Sequence, residues 1–200
     1  LGYHKERDGH TIDPDRPSVP RQARSLDGGQ TWTIETPSYI GEDGEQRPAT
    51  ALSAPVDFTA PDFAARFRND RFYYSLDRCR RWEGPFPLPT FGRPGLLART
   101  DYLVEGPHRL TAFVSAEKES GGEGQPLCMR TTDGGETWER IGWIGHQPPK
   151  GYGYAIMPAT VALTEDSYLS IIRRGGVFDG IKRWWLEAFL SPDSGRSWYM

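Results

Sequence analysis

The apolar residues of this chain fall in short runs that alternate with polar residues and are separated by Gly, Pro, Asp and Ser. Alternation with a period of two indicates a half-buried β-strand, and no segment shows a helical period of useful length. The pattern therefore predicts an all-β structure. The predicted strands are 33–36, 51–56, 63–67, 71–74, 96–104, 109–115, 126–130, 155–163, 168–174 and 183–190, with loops at 41–45, 117–124 and 175–180.

An eight-residue pattern, Ser-x-Asp-x-Gly-x-Thr-Trp, recurs between these predicted strands. Its copies occupy 25–32, 75–82, 131–138 and 191–198. The second copy is degenerate, because Cys79 and Arg81 stand where the pattern has Gly and Thr. In the fourth copy Ser197 replaces Thr.

The residue types of the repeat are those of a tight β-hairpin turn. The Gly can take the positive φ that such a turn needs, and the Asp can accept backbone N–H groups across it. The Trp begins the following strand and offers a large apolar surface for burial. Each copy is thus predicted to be a structural turn. Trp32, Trp82, Trp138 and Trp198 are expected to be largely buried between neighbouring sheets, except where the end of the chain leaves Trp198 open.

The copies start at residues 25, 75, 131 and 191, so the intervals are 50, 56 and 60 residues. A period of roughly this length is typical of β-propeller blades with four strands each. One turn at a fixed place in each blade is what such a repeat requires. The spacing therefore predicts a β-propeller of which about three to four blades are present.

The repeat resembles the Asp box of the sialidase (neuraminidase) superfamily, and the resemblance spans most of the chain. It implies a sialidase-like propeller with six blades, so residues 1–200 are expected to form a single partial domain of a longer ring. We call the four copies boxes 1 to 4. A common fold does not establish a common activity.

Composition excludes several classes of protein. The chain is 36% hydrophobic and 12% aromatic with a net charge of −3, which is typical of a globular domain. It has no apolar run of membrane-spanning length and no basic tract for nucleic acid. Two cysteines and four scattered histidines indicate neither a disulfide framework nor a metal site, so no metal or cofactor is expected. The compartment stays open, with a secreted or periplasmic location favoured because a signal could precede Leu1.

If the boxes lie on one face of a ring, loops on the opposite face gather around the central channel. Several cationic and aromatic positions fall there, and arginine grips carboxylates through a planar fork. The positions are Arg47, Arg66, Arg68, Arg93, Arg99 with Asp101, Glu117, Lys118, Tyr152, Tyr154, Arg173, Arg174 and Asp179. For each arginine the alternative is an outward, solvated side chain, and for Arg99 with Asp101 it is a local ion pair.

The resemblance implies an arginine triad for a substrate carboxylate, an Asp as acid/base and a Tyr nucleophile paired with Glu. We predict Arg66, Arg68, Arg99, Arg173, Arg174 and Tyr154 as substrate-binding residues, and Asp57 and Asp62 as candidates for the acid. Arg99, Arg173 and one of Arg66 or Arg68 are expected to converge. Either Asp can instead be a turn residue beside a proline. The chain lacks the family's Phe/Tyr-Arg-Ile-Pro motif, and its nucleophile is expected beyond Met200.

Two functions follow as hypotheses. The first is a sialidase-like glycoside hydrolase, or a related carbohydrate-active enzyme, acting on an acidic sugar. The alternative is a non-catalytic Asp-box propeller that binds a glycan or a protein. A sugar lyase on a similar ring is a third possibility. The arginines favour the first hypothesis and the missing motif favours the second.

Overall fold

The regular structure of the chain consists of antiparallel β-strands. The computed structural model describes residues 3–6, 9–12, 21–40, 47–99, 101–120, 122–148 and 153–200. These residues contain fourteen strands and no helix, so the all-β prediction is confirmed. The strands are β1 (Tyr3–Glu6), β2 (Gly9–Ile12), β3 (Gln22–Arg24), β4 (Thr33–Glu35), β5 (Ala64–Arg68), β6 (Arg71–Ser75), β7 (Glu83–Pro87), β8 (Tyr102–Val104), β9 (Leu110–Glu117), β10 (Glu123–Thr131), β11 (Glu139–Trp143), β12 (Tyr154–Ala162), β13 (Tyr168–Phe178) and β14 (Ile181–Ser191).

Each sheet is built from strands that follow one another in sequence. The sheets are β1–β2, β3–β4, β5–β6–β7, β8–β9–β10–β11 and β12–β13–β14. Because every hydrogen-bonded pair is antiparallel, each sheet is a simple meander. Short connections of this kind favour local contacts between neighbouring elements.

Every box forms the turn of an antiparallel hairpin, as the sequence predicted. Box 1 joins β3 to β4, box 2 joins β6 to β7, and box 3 joins β10 to β11. Box 4 follows β14, and the chain returns beside that strand through a bridge between Leu190 and Tyr199. In the four-stranded sheet the box lies between the third and fourth strands.

The hydrogen bonds inside box 1 explain its residue types. The carboxylate of Asp27 accepts the backbone N–H of Thr31 at 2.9 Å and its hydroxyl at 2.6 Å. Ser25 Oγ accepts the N–H of Gly29 at 2.8 Å, and the indole N–H of Trp32 donates to the Gly29 carbonyl at 2.9 Å. The same carboxylate-to-backbone bond recurs in the other three boxes. Each box therefore fixes the shape of its turn with its own Asp and Ser or Thr side chains.

The three larger sheets pack face to face in the order of the sequence. On one face of the four-stranded sheet, Val114 and Met129 join a core that includes Phe67 and Phe72 of β5 and β6. On its other face, Phe113 and Cys128 join a core that includes Tyr168, Ile172 and Phe189 of β13 and β14. Side chains of one strand thus alternate between two cores, which is why this sheet is apolar on both faces.

Three of the four box tryptophans pack against the preceding sheet. Trp138 contacts Phe67 and Phe72 of β5 and β6, and Trp198 contacts Phe113 of β9. Trp82 is 7% exposed and donates its indole N–H to Gln22 of β3. Trp32 is 62% exposed, so its predicted burial is wrong. Burial of a box Trp depends on a sheet in front of it, and no described sheet covers Trp32.

Boxes 2, 3 and 4 lie at the same end of the sheets, which we call the box end. Segment 55–63 contacts two of them, through the bond from Arg78 N to Asp62 O and the bond from Val56 N to Gly134 O. Box 4 is tied to the same region, because Arg130, next to box 3, donates to the Ser194 carbonyl at 2.8 Å. The hairpin ends that follow β5, β9 and β13 form the opposite end, which we call the box-distal end.

Three predictions of secondary structure need correction. Residues 51–56 form no strand, and the predicted strand 96–104 is reduced to a bridge at Leu96 and to β8. The predicted loop 175–180 is mostly strand, because β13 runs to Phe178 and β14 starts at Ile181. Gly175 lies in β13 directly under the ring of Tyr154, where a Cβ atom would come within 2.3 Å of that ring. This glycine allows close packing instead of a turn. The predicted loop 41–45 lies outside the described residues.

Candidate functional site

Arg173 and Tyr154 form one pair on one face of the last sheet, with Tyr154 at the box-distal end of β12 and Arg173 at the middle of β13. Their strands, β13 and β12, are neighbours in the last sheet. The guanidinium carbon of Arg173 lies 5.4 Å from the centroid of the Tyr154 ring, which is within cation–π range. The Arg173 side chain is exposed. The pair therefore presents a guanidinium to solvent on an aromatic support.

Arg174 points to the other face of β13 and has a structural environment. It is 9% exposed, and its Nη1 donates to the carbonyl of His146 at 3.0 Å. Its Nε lies 3.3 Å from Glu187 Oε2 without the alignment of a hydrogen bond, so the two form an ion pair. A ligand could reach this guanidinium only by displacing those neighbours.

Arg66 lies among buried tyrosines. Its guanidinium carbon is 4.9 Å from the centroid of the Tyr39 ring, and its Nε is buried without a hydrogen-bond partner. The rings of Tyr39 and Tyr73 are 4.8 Å apart, and both residues are almost fully buried. Burial and the neighbouring Tyr39 raise the pKa of Tyr73, against the lowering effect of nearby arginines. Tyr73 is therefore neutral and cannot balance the charge of Arg66.

Arg68 and Arg99 approach one another at the turn between β5 and β6. Arg68 is exposed at the end of β5, and the backbone N–H of Asn69 donates to the Ala98 carbonyl at 3.2 Å. Arg99 follows Ala98 directly and is also exposed. Among the described residues no contact joins Arg173 to either of them. The structure thus brings two of the predicted arginines close in the backbone and leaves the third in another sheet.

Asp101 differs from the expected local ion pair. No ion pair joins it to Arg99. Its carboxyl group is hydrogen-bonded to Thr160 of the next sheet, and its Oδ2 is buried without a partner. Burial raises the pKa of Asp101 to about 6. This carboxyl group can therefore exchange a proton close to neutral pH.

The two predicted acids, Asp57 and Asp62, lie at the box end. Asp57 accepts the hydroxyl and the N–H of Thr59, and these hydrogen bonds lower its pKa. Asp62 forms an ion pair with Arg78 of box 2 at 2.7 Å. Neither carboxylate lies near the arginines of the box-distal end. Their geometry is that of turn and pairing residues.

Further cationic side chains lie at the box-distal end. The guanidinium carbon of Arg93 lies 4.6 Å from the centroid of the Trp143 ring, and Lys118 Nζ donates to the Gly153 carbonyl at 2.8 Å. Sequence reasoning did not identify Arg71 as a site residue, although it lies directly opposite Arg68 across the turn. The two-residue turn Asn69–Asp70 was the signal that could have revealed it. Tyr152 lies outside the described residues.

A buried polar network at the box end was also missed. The hydroxyl of Tyr168 donates to Glu105, whose carboxylate lies 3.3 Å from Arg130 Nε. Arg130 Nε donates to the Thr111 hydroxyl at 2.7 Å, so the network joins β9, β10 and β13 to Glu105, which directly follows β8. Burial, and then Glu105, raise the pKa of Tyr168 to about 12. A tyrosine paired with a glutamate has the residue types of a sialidase nucleophile, but this one stays protonated and acts as a tie between sheets.

Comparison with known proteins identifies no family for this chain. No protein-family model matches the chain, and no curated protein matches it. In the part of the chain that the structure describes, no helix is long and apolar enough to cross a membrane. The same residues contain no cluster of three or more His, Cys, Asp or Glu side chains suited to a metal ion.

Proposed function

We propose that the chain forms part of a sialidase-like β-propeller that acts on an acidic sugar at its box-distal end. Support for the propeller comes from the repeated relation between sheets. Each of boxes 2, 3 and 4 closes a hairpin and packs against the sheet before it. Successive blades of a propeller are likewise sheets that stack in chain order, each contacting the one before it in the same way.

The outward face of the last sheet supports the same plan. Val161, Ile171, Trp184, Leu186 and Leu190 are exposed there, at 42% to 70% of their surface. Residues of the same kind are buried where β5–β6–β7 meets the four-stranded sheet. In a propeller a further blade covers the apolar residues of this face. The proposed site requires that such a blade leave Arg173, which shares the face with Ile171 and Leu186, open to the ligand.

The observation that carries the proposed ligand is the exposed guanidinium of Arg173 over Tyr154 at the box-distal end. A guanidinium binds a carboxylate through two parallel hydrogen bonds, and Tyr154 supports the guanidinium of Arg173. Arg68, Arg93 and Arg99 add positive charge at the same end. An acidic sugar matches this positive charge.

The reaction that we propose for this site is hydrolysis of a glycosidic bond. Glycosidases need a carboxylic acid whose pKa is raised enough to hold a proton near neutral pH. Asp101 has such a pKa, about 6, and lies next to β8, the first strand of its sheet. We propose it as the acid in place of Asp57 and Asp62, since their contacts keep them at the box end.

Non-catalytic binding is the second candidate, and a specific observation favours it. The Tyr168–Glu105 pair lies at the box end with a pKa too high for a nucleophile. In this case the box-distal arginines would hold an acidic glycan without cleaving it.

One experiment separates the two functions. Calorimetric titration with N-acetylneuraminic acid and with its neutral methyl ester, at constant ionic strength, tests acidic-sugar binding. Release of methylumbelliferone from the corresponding glycoside tests hydrolysis. Binding of the acid with hydrolysis that Asp101→Asn abolishes supports the enzyme. Binding of the acid without hydrolysis supports the binding protein, and equal affinity for acid and ester overturns both.

A further inference from the structure

A pocket lined by three arginines opens at the turn between β5 and β6. Its volume is about 380 Å³, within the usual range for small-molecule sites. The lining residues are Arg47, Pro48, Ala49, Arg68, Asn69, Asp70 and Arg71. It is distinct from the Arg173–Tyr154 pair, which belongs to another sheet.

The arginines are arranged in a way that costs free energy in the absence of an anion. Arg68 and Arg71 stand directly opposite each other across the strand pair, and like charges at such positions destabilise a hairpin. Asp70 compensates Arg71 alone, through an ion pair of 2.9 Å to Nη1. Among the described residues, neither Arg47 nor Arg68 has an ion-pair partner.

The charge of the pocket indicates the class of its ligand. Among the described lining residues, three guanidiniums and one carboxylate give a net charge of 3 − 1, or +2. A phosphate monoester carries nearly two negative charges above its second pKa and has three acceptor oxygens. Arginine binds phosphate through paired hydrogen bonds. The side-chain amide of Asn69 adds a further donor.

We propose that this pocket binds the phosphate dianion of a phosphorylated small molecule. A carboxylate or a sulfate ester carries one charge and would leave half of the pocket's charge uncompensated. The volume leaves room for the organic group to which the phosphate is attached. This inference goes beyond the proposed function and does not depend on it, because Arg173 takes no part in the pocket.

The test compares ligands that share a ring and differ in their acid group. Phenyl phosphate, phenyl sulfate, benzoate and inorganic phosphate are titrated into the protein by calorimetry at pH 8 and constant ionic strength. We expect phenyl phosphate to bind at least tenfold more tightly than phenyl sulfate or benzoate. Inorganic phosphate should compete with it, which shows that the phosphate group is recognised.

Variants locate the site. Arg68→Gln should weaken phenyl phosphate at least tenfold, and Arg47→Gln serves as a second variant if the first fails to fold. Arg196→Gln is the matched control, since Arg196 is exposed in box 4 at the other end. Arg173→Ala should leave phenyl phosphate binding within twofold, which separates this site from the proposed sugar site. Equal affinity for phenyl phosphate and benzoate, no saturable binding, or an equal loss in Arg196→Gln would overturn the proposal.

Discussion

The indole of Trp138 meets the ring of Phe67 edge to face, with centroids 5.7 Å apart and planes at 89°, although the two residues belong to different sheets. This contact joins box 3 to the sheet before it. Removing the indole by Trp138→Ala leaves a cavity between two sheets, so we expect the free energy of unfolding to fall by about 3 to 5 kcal/mol. Urea denaturation followed by fluorescence measures the loss.

Trp32→Ala is the control for that experiment. Trp32 occupies the same place in box 1 but is 62% exposed, so its removal should cost less than about 1 kcal/mol. If both substitutions cost the same, the tryptophans stabilise the turns themselves and not the contact between sheets.

Gly134 and Gly28 allow a second matched comparison. Both have a positive φ, 70° and 72°, at the same place in boxes 3 and 1. A Cβ atom on Gly134 would meet the backbone nitrogen of Val56 at 2.6 Å, whereas one on Gly28 meets nothing within 4 Å. Gly28→Ala should cost about 1 kcal/mol for its backbone conformation, and Gly134→Ala at least about 2 kcal/mol more. Thermal unfolding of the two variants checks the difference, and similar melting temperatures would show that box 3 is not closely packed against segment 55–63.

The box aspartates make stability depend on acid pH. Hydrogen bonds from Thr31 and Ser25 lower the pKa of Asp27 to about 2, and those from Thr137 and Thr131 lower the pKa of Asp133 despite burial. A carboxylate with a lowered folded-state pKa stabilises the fold above its unfolded pKa of about 4 and loses this effect as pH falls. Asp133→Asn should therefore cost about 1.5 kcal/mol at pH 7 and progressively less below pH 4. Denaturation curves from pH 7 to pH 2 test this, and a difference that does not change with pH would contradict it.

Asp101 should have the opposite dependence. Its pKa is raised to about 6 by burial, so its contribution becomes less favourable as pH rises from about 4 to 6. The full shift corresponds to about 3 kcal/mol, and screening by solvent at this half-buried position reduces it to about 1 kcal/mol. Asp101→Asn should thus stabilise the protein at pH 7 and have no such effect below pH 4. Asp57→Asn is the control, and destabilisation by Asp101→Asn at pH 7 would show that the charge is well accommodated.

The boxes could be predicted from sequence because the Asp carboxylate and the first hydroxyl of each one accept backbone N–H groups within its own eight residues. Strands β9 and β13 could also be predicted from sequence, because the alternation of side chains that indicates a strand is carried by consecutive residues of that strand. Gly175 shows where this fails: its role depends on Tyr154, which pairs with it from another strand.

The candidate site was less accessible to sequence reasoning. Strand ends indicated that Arg68 and Arg173 belong at the box-distal end, but not which arginines share a pocket. Asp57 and Asp62 were chosen for their residue type, and only the structure reveals their partners at the box end. The raised pKa of Asp101 depends on its burial in the folded chain, and its hydrogen-bond partner Thr160 lies 59 positions further along, at 160 against 101.

The most direct test of the proposed function is the titration of Arg173→Ala with N-acetylneuraminic acid and its methyl ester. If Arg173 binds the carboxylate, the acid should lose more than about 1 kcal/mol of binding free energy, because a charge-assisted hydrogen bond contributes roughly 1.5 to 3 kcal/mol. The ester should change little, and Arg196→Ala should affect neither ligand. Equal losses for acid and ester in Arg173→Ala would contradict the account and leave Arg173 a structural residue.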